Sequence, residues 1–357
     1  MELFNTLLTY PSAQRGMRYN KQTMTDRYDF VSIGDITIDA FIQLSEKDAS
    51  VVCDMDGKPC QLMMNFGDKL PYTDVKVVNA VGNAPNAAVS AHRLGLKSAL
   101  STNLGHDRNG KDCLDALRHE GVHTDFVKVH ENKATNYHYV LRHGPERTIL
   151  IKHEEYPYLL PDFNAPPRYV YFSSIGENGV AFHHDIAAYV KANPDTKLVF
   201  QPGTFQIRLG HEELKDLYAV TEIFFCNKEE AETILNKKDT DIPTLLRELS
   251  KLGPKIPVIT DGPKGAYALD GDDVWFMPMY PDIAPPVDRT GAGDSFASTF
   301  TSALALGNDV ATALSWAPIN SMSVVQYIGA QEGLLTQEKL AEYLKNAPEE
   351  YKSKKIS

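Results

Sequence analysis

The residues best placed to do chemistry are Asp288-Arg289-Thr290-Gly291-Ala292-Gly293-Asp294-Ser295-Phe296. Pro285 and Pro286 precede them and cannot lie inside a helix, whereas residues 295–306 are small or apolar and free of proline. The glycines therefore fall where a loop becomes a helix N-terminus. There, backbone N–H groups lack intrahelical partners and the helix dipole is positive. Glycine lets such a backbone approach an anion with no Cβ in the way. A carboxylate, Asp294, stands beside this cradle. It would repel a phosphate that merely bound there, which points to a general base instead. Asp294 would take a proton from a hydroxyl while the amides of Gly291, Ala292 and Gly293 hold the charge on a transferring phosphoryl group. Taken as a bare string, the same residues also read as a glycine-rich loop with an aspartate helix cap.

Other positions must be carried to this loop by the fold. Phe30-Val31-Ser32-Ile33-Gly34 reads as the first central strand, continuing as Asp35-Ile36-Thr37-Ile38-Asp39. Acids at the carboxyl end of a buried strand sit where open α/β sheets bind ligands, although solvated strand-end acids look the same. Residues 40–80 break into short β-rich pieces separated by Asp-Gly and Gly-Asp turns, which predicts a small sheet projecting from the main domain. Residues 97–103 read as a strand, and Asp107 as the cap of a helix running to residue 120. Residues 125–129, 135–141 and 147–152 alternate like a meander that would complete the projecting sheet. From residue 168 the pattern becomes regular βα, with strands at 168–174, 197–201, 222–226 and 256–260. That alternation predicts an α/β fold, a central mainly parallel sheet flanked by helices on both faces.

Composition excludes several classes. A chain of 357 residues, 43% hydrophobic and 23% charged, can bury one large core. A formal net charge of −11 with no basic run argues against a nucleic-acid surface. No stretch of about 18 apolar residues occurs, so no membrane span is expected. Residues 1–27 are polar, lack a signal-peptide core and read as a loose extension, and residues 346–357 read as a charged, frayed tail. Four sparse cysteines predict a reducing, cytoplasmic setting and no disulfide framework. Cys53 and Cys60 flank Asp54-Met55-Asp56-Gly57, which reads as a hairpin turning at Asp56-Gly57 or, with Lys58 at the position a calcium loop gives to oxygen, less readily as a metal site.

The nonapeptide resembles the C-terminal signature D-T-x-G-A-G-D-x-F of the ribokinase-like (PfkB) carbohydrate kinases, with Arg289 replacing a threonine. Val81-Gly82-Asn83-Ala84-Pro85-Asn86 resembles that family's N-terminal signature G-G-x-x-x-N, with Val81 for the first glycine. The resemblance spans about residues 28–335 and implies a ribokinase-like kinase domain over 28–345. Its β lid would come from about 40–80 and 123–153. It also implies ATP-dependent phosphorylation of a primary hydroxyl on a monosaccharide or related small molecule. Asp35, Asp39, Gly82, Asn83 and Asn86 would then face the acceptor, although Asn86 alone reads equally as a helix cap. Asn227-Lys228-Glu229-Glu230 matches the family's N-x-x-E, whose Asn and Glu organise Mg2+ and its waters; by spacing it is also a capping box. Thr260, Gly262 and Gly265 fall in the register of the nucleotide loop, and Asn320 in that of the adenine wall. Asp288 and Gly329 would flank a possible monovalent cation, K+ in several relatives.

Within this class a nucleoside kinase is the rival, because a nucleoside also offers a primary hydroxyl. The acids and amides listed for the acceptor lean towards a free sugar. A non-catalytic sugar- or nucleotide-binding regulator would be expected to lose the base, and Asp294 is intact. No G-x-G-x-x-G follows the first strand, and no P-loop G-x-x-x-x-G-K-[ST] or H-R-D is present. The edge-rich lid insertion predicts pairing of two chains through the lid.

Overall fold

The structure is a computed structural model that describes residues 27–53, 60–144 and 146–356. Apart from Arg27, the N-terminal extension lies outside the described residues, as does the Asp56-Gly57 turn. In chain order the strands are β1 (Phe30–Ile33), β2 (Thr37–Leu44), β3 (Ala49–Cys53), β4 (Cys60–Met64), β5 (Tyr72–Val81), β6 (Ser98–Gly105), β7 (His123–His130), β8 (Tyr137–His143), β9 (Glu146–Leu150), β10 (Tyr169–Phe172), β11 (Lys197–Phe200), β12 (Thr221–Asn227), β13 (Ile256–Thr260), β14 (Ala266–Asp270), β15 (Asp273–Met277) and β16 (Lys354–Lys355). The helices are α1 (Asn83–Arg93), α2 (Arg108–His119), α3 (Val180–Ala192), α4 (Thr204–Leu209), α5 (Lys215–Ala219), α6 (Lys228–Ile234), α7 (Ile242–Lys251), α8 (Ala292–Ala305), α9 (Val310–Val324) and α10 (Gln337–Lys345).

Ten strands form the main sheet in the order β16-β15-β14-β13-β12-β11-β10-β1-β6-β7. From β13 across to β7 the pairing is parallel, and β14, β15 and β16 add an antiparallel edge. Helices cover both faces because the central strands are apolar on both. Phe30, Tyr171, Val199 and Phe225 pack with α1, α8 and α9, while Val31, Phe172, Phe200 and Phe224 pack with α3, α5 and α7. Chain order reverses between β1 and β10, so the loops after these strands open a crevice at the switch point.

A second sheet, β5-β2-β8-β9, stands off the first. The run expected to continue straight through Asp35 instead breaks at residues 34–36, where the chain leaves the main sheet for this lid. One lid assignment fails: residues 125–129 belong to β7, which pairs with β6 at the edge of the main sheet. An edge strand with one solvated face alternates just as a lid strand does, so periodicity could not separate them. Cys53 and Cys60 also depart from expectation, since they form a disulfide. The antiparallel register of β3 and β4 sets them directly opposite, which their sparse spacing in sequence does not reveal. No helix among the described residues is long and apolar enough to cross a membrane.

The chain's end does not fray. Tyr351 is buried, donates from its hydroxyl to Ser315 O at 2.6 Å and packs edge-on against Tyr280, and Lys354–Lys355 pairs with β15. An aromatic anchor thus holds a stretch whose charges predict solvent. Tyr351→Ala should lower stability by about 3 kcal/mol, as truncating a buried aromatic does. Urea denaturation checks this, and an unmoved midpoint would mean that the tail contributes nothing.

Candidate active site

Helix α8 starts where the glycines end. Gly291 caps it with φ +81°, and a Cβ there would lie 2.3 Å from the Ala330 Cβ, so only glycine fits. Beyond the cap α8 is buried along nearly its whole length despite its serines and threonines. Their hydroxyls turn back to the helix's own carbonyls: Ser298 Oγ to Asp294 O at 2.6 Å, Thr301 Oγ1 to Ala297 O at 2.8 Å, Ser302 Oγ to Ser298 O at 2.7 Å. Small, internally satisfied side chains let α1 and α9 pack closely against α8.

Asp294 sits in the first turn of α8 and is only 8% exposed. Three amides donate to it: Asn83 Nδ2 to Oδ1 at 2.7 Å, Asn86 Nδ2 to Oδ2 at 2.8 Å and Gln201 Nε2 to Oδ1 at 3.2 Å. Each amide is itself tied down or placed by an element. Asn83 and Asn86 lie in α1, with Asn86 Oδ1 accepting from Gln331 Nε2 at 3.0 Å. Gln201 follows β11, and its Oε1 accepts the Tyr171 hydroxyl. A carboxylate has about four acceptor positions, and three donors leave one open, on Oδ2. Burial pushes the Asp294 carboxyl above its ordinary range, and the three amides pull it partly back. Asn86 is therefore no helix cap, because α1 is capped by Gly82 and Asn86 lies inside it.

Of the three expected amides, those of Gly291 and Gly293 are open and that of Ala292 is only loosely engaged. Ala292 N points to Arg289 O at a long 3.5 Å and Ser295 N bonds Gly291 O at 2.8 Å. The amides of Gly291, Gly293 and Asp294 have no protein acceptor among the described residues. On the outer side of this helix start lies a cleft of about 230 Å³. Thr260, Gly262 and Gly265 line it, together with Arg289, Ala292, Gly293, Pro318, Ser321, Met322 and Val325. Asn320 does not. It is fully buried on the other side of α9, donating to Thr299 Oγ1 at 2.7 Å and accepting from Leu335 N at 2.9 Å. Helical phase puts its neighbours on the cleft and the amide in the core. Lys264 pairs with Asp261 at 3.4 Å and is mostly exposed.

On the inner side, Asp35 and Asp39 come close to histidines that the lid supplies. Tyr158 donates to both Asp35 oxygens at 2.9 and 3.0 Å, and His153 Nδ1 lies 3.5 Å from Asp35 Oδ2. His138, directly opposite Asp39 in the β2–β8 register, brings Nδ1 to 3.4 Å from Asp39 Oδ1. Asp39 Oδ1 and His138 Nε2 are nevertheless buried with no hydrogen-bond partner. Gly82 serves the backbone at this corner: its φ is +122°, and a Cβ would meet Asp35 O at 2.8 Å. Gln201, Tyr158 and His153 escaped the sequence reading. The one available signal was position, since Gln201 ends a central parallel strand.

Asn227 and Glu230 form a capping box: Asn227 Oδ1 accepts from Glu230 N and Glu230 Oε2 from Asn227 N, both at 2.8 Å. Burial raises the Glu230 carboxyl above its usual range, which the Asn227 amide opposes. Asp288 is buried, and its carboxylate takes Thr290 N at 3.0 Å, Thr290 Oγ1 at 2.8 Å and Gly329 N at 3.1 Å. It staples two loops together. No group of three or more His, Cys, Asp or Glu among the described residues is arranged to hold a metal.

A family model of the pfkB carbohydrate kinases matches residues 67–337, and the chain belongs to that family, phosphotransferases with an alcohol acceptor. A ribokinase of Bacillus subtilis is 27% identical over 272 residues, 74% of this chain and 87% of the relative. A nucleoside kinase of Methanothermobacter thermautotrophicus is 24% identical over 316 residues, covering 87% and 94%. The fold superposes on an Arabidopsis thaliana ribokinase complexed with ribose and ATP with a TM-score of 0.74 at 20% identity, covering 89% of this chain and 99% of that one.

Replacing Gln201 by Met removes one donor from the buried carboxylate and keeps its bulk. The pH at which Asp294 ionises should rise, as followed by carboxyl 13C NMR with Asp294→Asn for assignment. An unmoved or lower midpoint would exclude Gln201 from holding this group.

Proposed function

We propose that this chain transfers the γ-phosphoryl group of ATP to a primary hydroxyl of a small free sugar. One observation carries the reading. Asp294 is buried where its amides leave one acceptor position open, and the unpaired Gly291, Gly293 and Asp294 amides stand beside it, with Gly293 on the wall of a cleft. The acceptor lies against Asp35, Asp39, Gly82, Asn83 and Asn86, and the nucleotide lies in the cleft lined by Thr260, Gly262 and Gly265. Asp294 accepts the hydroxyl proton as that oxygen bonds to the γ-phosphorus, and the bond to the leaving ADP breaks with its electrons. The Gly293 and Asp294 amides hold the charge on the phosphoryl oxygens in transit. A carboxyl raised by burial is a better base for a hydroxyl than an ordinary aspartate. The lid brings Asp39 and His138 over this end and excludes water that would otherwise be phosphorylated.

The donor set suits magnesium, which takes few protein ligands and keeps waters and phosphates. Glu230, whose Oε1 lies outside the capping box, and Asn227, whose Oδ1 keeps a second lone pair, would hold it by accepting from its waters. When bound it would neutralise phosphate charge. For a monovalent cation, the ligands would be carbonyls of the two loops that Asp288 and Gly329 join, because the Asp288 carboxylate already serves three donors. A sugar is favoured over a nucleoside because carboxylates, amides and imidazoles line the acceptor end, with the unpaired Asp39 Oδ1 among them.

Asp294→Asn should keep ATP affinity within about threefold by calorimetry and lose turnover by about 10²–10⁴-fold, the share a general base supplies. ATP-consumption assays over free hexoses, pentoses and nucleosides check both parts. A variant as active as the wild type sinks the base, and faster turnover of nucleosides sinks the sugar.

The lid also supports pairing of two copies. Register puts Val75, Val77, Tyr139 and Leu150 on the face turned away from Asp39 and His138, and they are 43%, 51%, 48% and 51% exposed. Such an apolar sheet face is ordinarily covered. Sedimentation at micromolar concentration should show a dimer that Tyr139→Asp converts to monomer. A monomeric wild type would count against the pairing.

A further inference from the structure

Arg289 is the feature of the signature loop that the reaction above leaves unused. Its neighbours are fully committed. Asp288 is turned inward and stapled to Thr290 and Gly329, and Gly291 is fixed by its contact with Ala330. Arg289, between them, is exposed and lines the cleft. Among the described residues that line it, Arg289 carries the one positive charge and Asp282 the one negative charge. No carboxylate lies within 4.0 Å of the Arg289 guanidinium among the described ion pairs. The chain thus keeps a cation in the cleft without neutralising it, next to Ala292 and Gly293 at the start of α8.

We propose that Arg289 is a specificity-determining residue that binds the non-transferred phosphates of the nucleotide. The proposal rests on the reading of the cleft as the nucleotide site. Phosphate transfers at Gly293 and Asp294, and the phosphates that stay behind share the cleft that Arg289 lines beside them. A guanidinium presents planar, paired N–H donors that match phosphate oxygens and holds its charge at any working pH. Asp282, the other charge on the lining, repels phosphate and leaves Arg289 as the one charged group there that can hold it. Met279, Met322 and Val325 leave an apolar wall for the base. An arginine here makes affinity depend on the number of phosphates and not only on the nucleoside.

Calorimetric titration of the full chain with ADP and, separately, with adenosine tests this. Arg289→Gln should weaken ADP by about ten- to a hundredfold, the worth of charged hydrogen bonds, and leave adenosine within about twofold. Arg289→Lys should fall between, since a point charge replaces the paired donors. Unchanged ADP affinity in Arg289→Gln overturns the proposal. Equal weakening of ADP and adenosine also overturns it, because the arginine would then shape the cleft and not read phosphate. A wild type that binds neither ligand instead removes the cleft as the nucleotide site.

Discussion

The structure is built around one buried carboxylate. Taking an ionised aspartate out of water is costly unless hydrogen bonds replace the lost solvent. Here α1 and the end of β11 send amide donors to Asp294. Those donors can reach it only if α1 packs on α8, and that packing in turn requires the small residues of both helices. The glycine cap, the alanine- and serine-rich helices and the position of β11 are thus consequences of the same constraint. Neutral amides meet it better than a lysine or arginine would. They compensate burial while leaving the group basic enough to take a proton.

The start of α8 also divides two environments. On one side the first turn borders a cleft with an apolar wall and a single arginine. On the other, Asp294 faces the asparagines of α1 and the crevice where the strand order reverses. A transferring group needs both at once, one side rich in hydroxyl-binding groups and one rich in phosphate-binding groups, with the base between. The lid completes the first side by a register effect. Parallel pairing of β2 with β8 fixes His138 opposite Asp39, and a slip of β8 by one residue would turn His138 to the other face, away from Asp39.

Several motif residues also serve the structure. Asn227 and Glu230 cap a helix, Asp107 accepts from Gly110 and Thr135, and Asp288 joins two loops. Such roles do not compete with ligand binding. They hold the loop backbone beside the proposed site in a conformation it could not keep alone. Asn320 is the exception, since its side chain is consumed by Thr299 and Leu335 and only its helix contributes to the cleft.

Local chemistry was legible in the sequence. Proline before glycine before a small-residue helix defines a helix start, an acid in that turn marks a candidate base, and alternation of apolar runs defines the parallel sheet. Each is a short-range property, decided within a few residues by sterics and hydrogen bonding. What a side chain faces was not legible, because that depends on partners far along the chain. Tertiary packing made Asn83 and Asn86 servants of Asp294, placed 125–129 in the main sheet, joined Cys53 to Cys60 across a hairpin and docked Tyr351. It also brought in Gln201, marked in sequence only by its place at the end of a strand, and His153, which lies in no recognisable pattern. Residue types decide what chemistry is available, and long-range burial and register decide which of it is brought together.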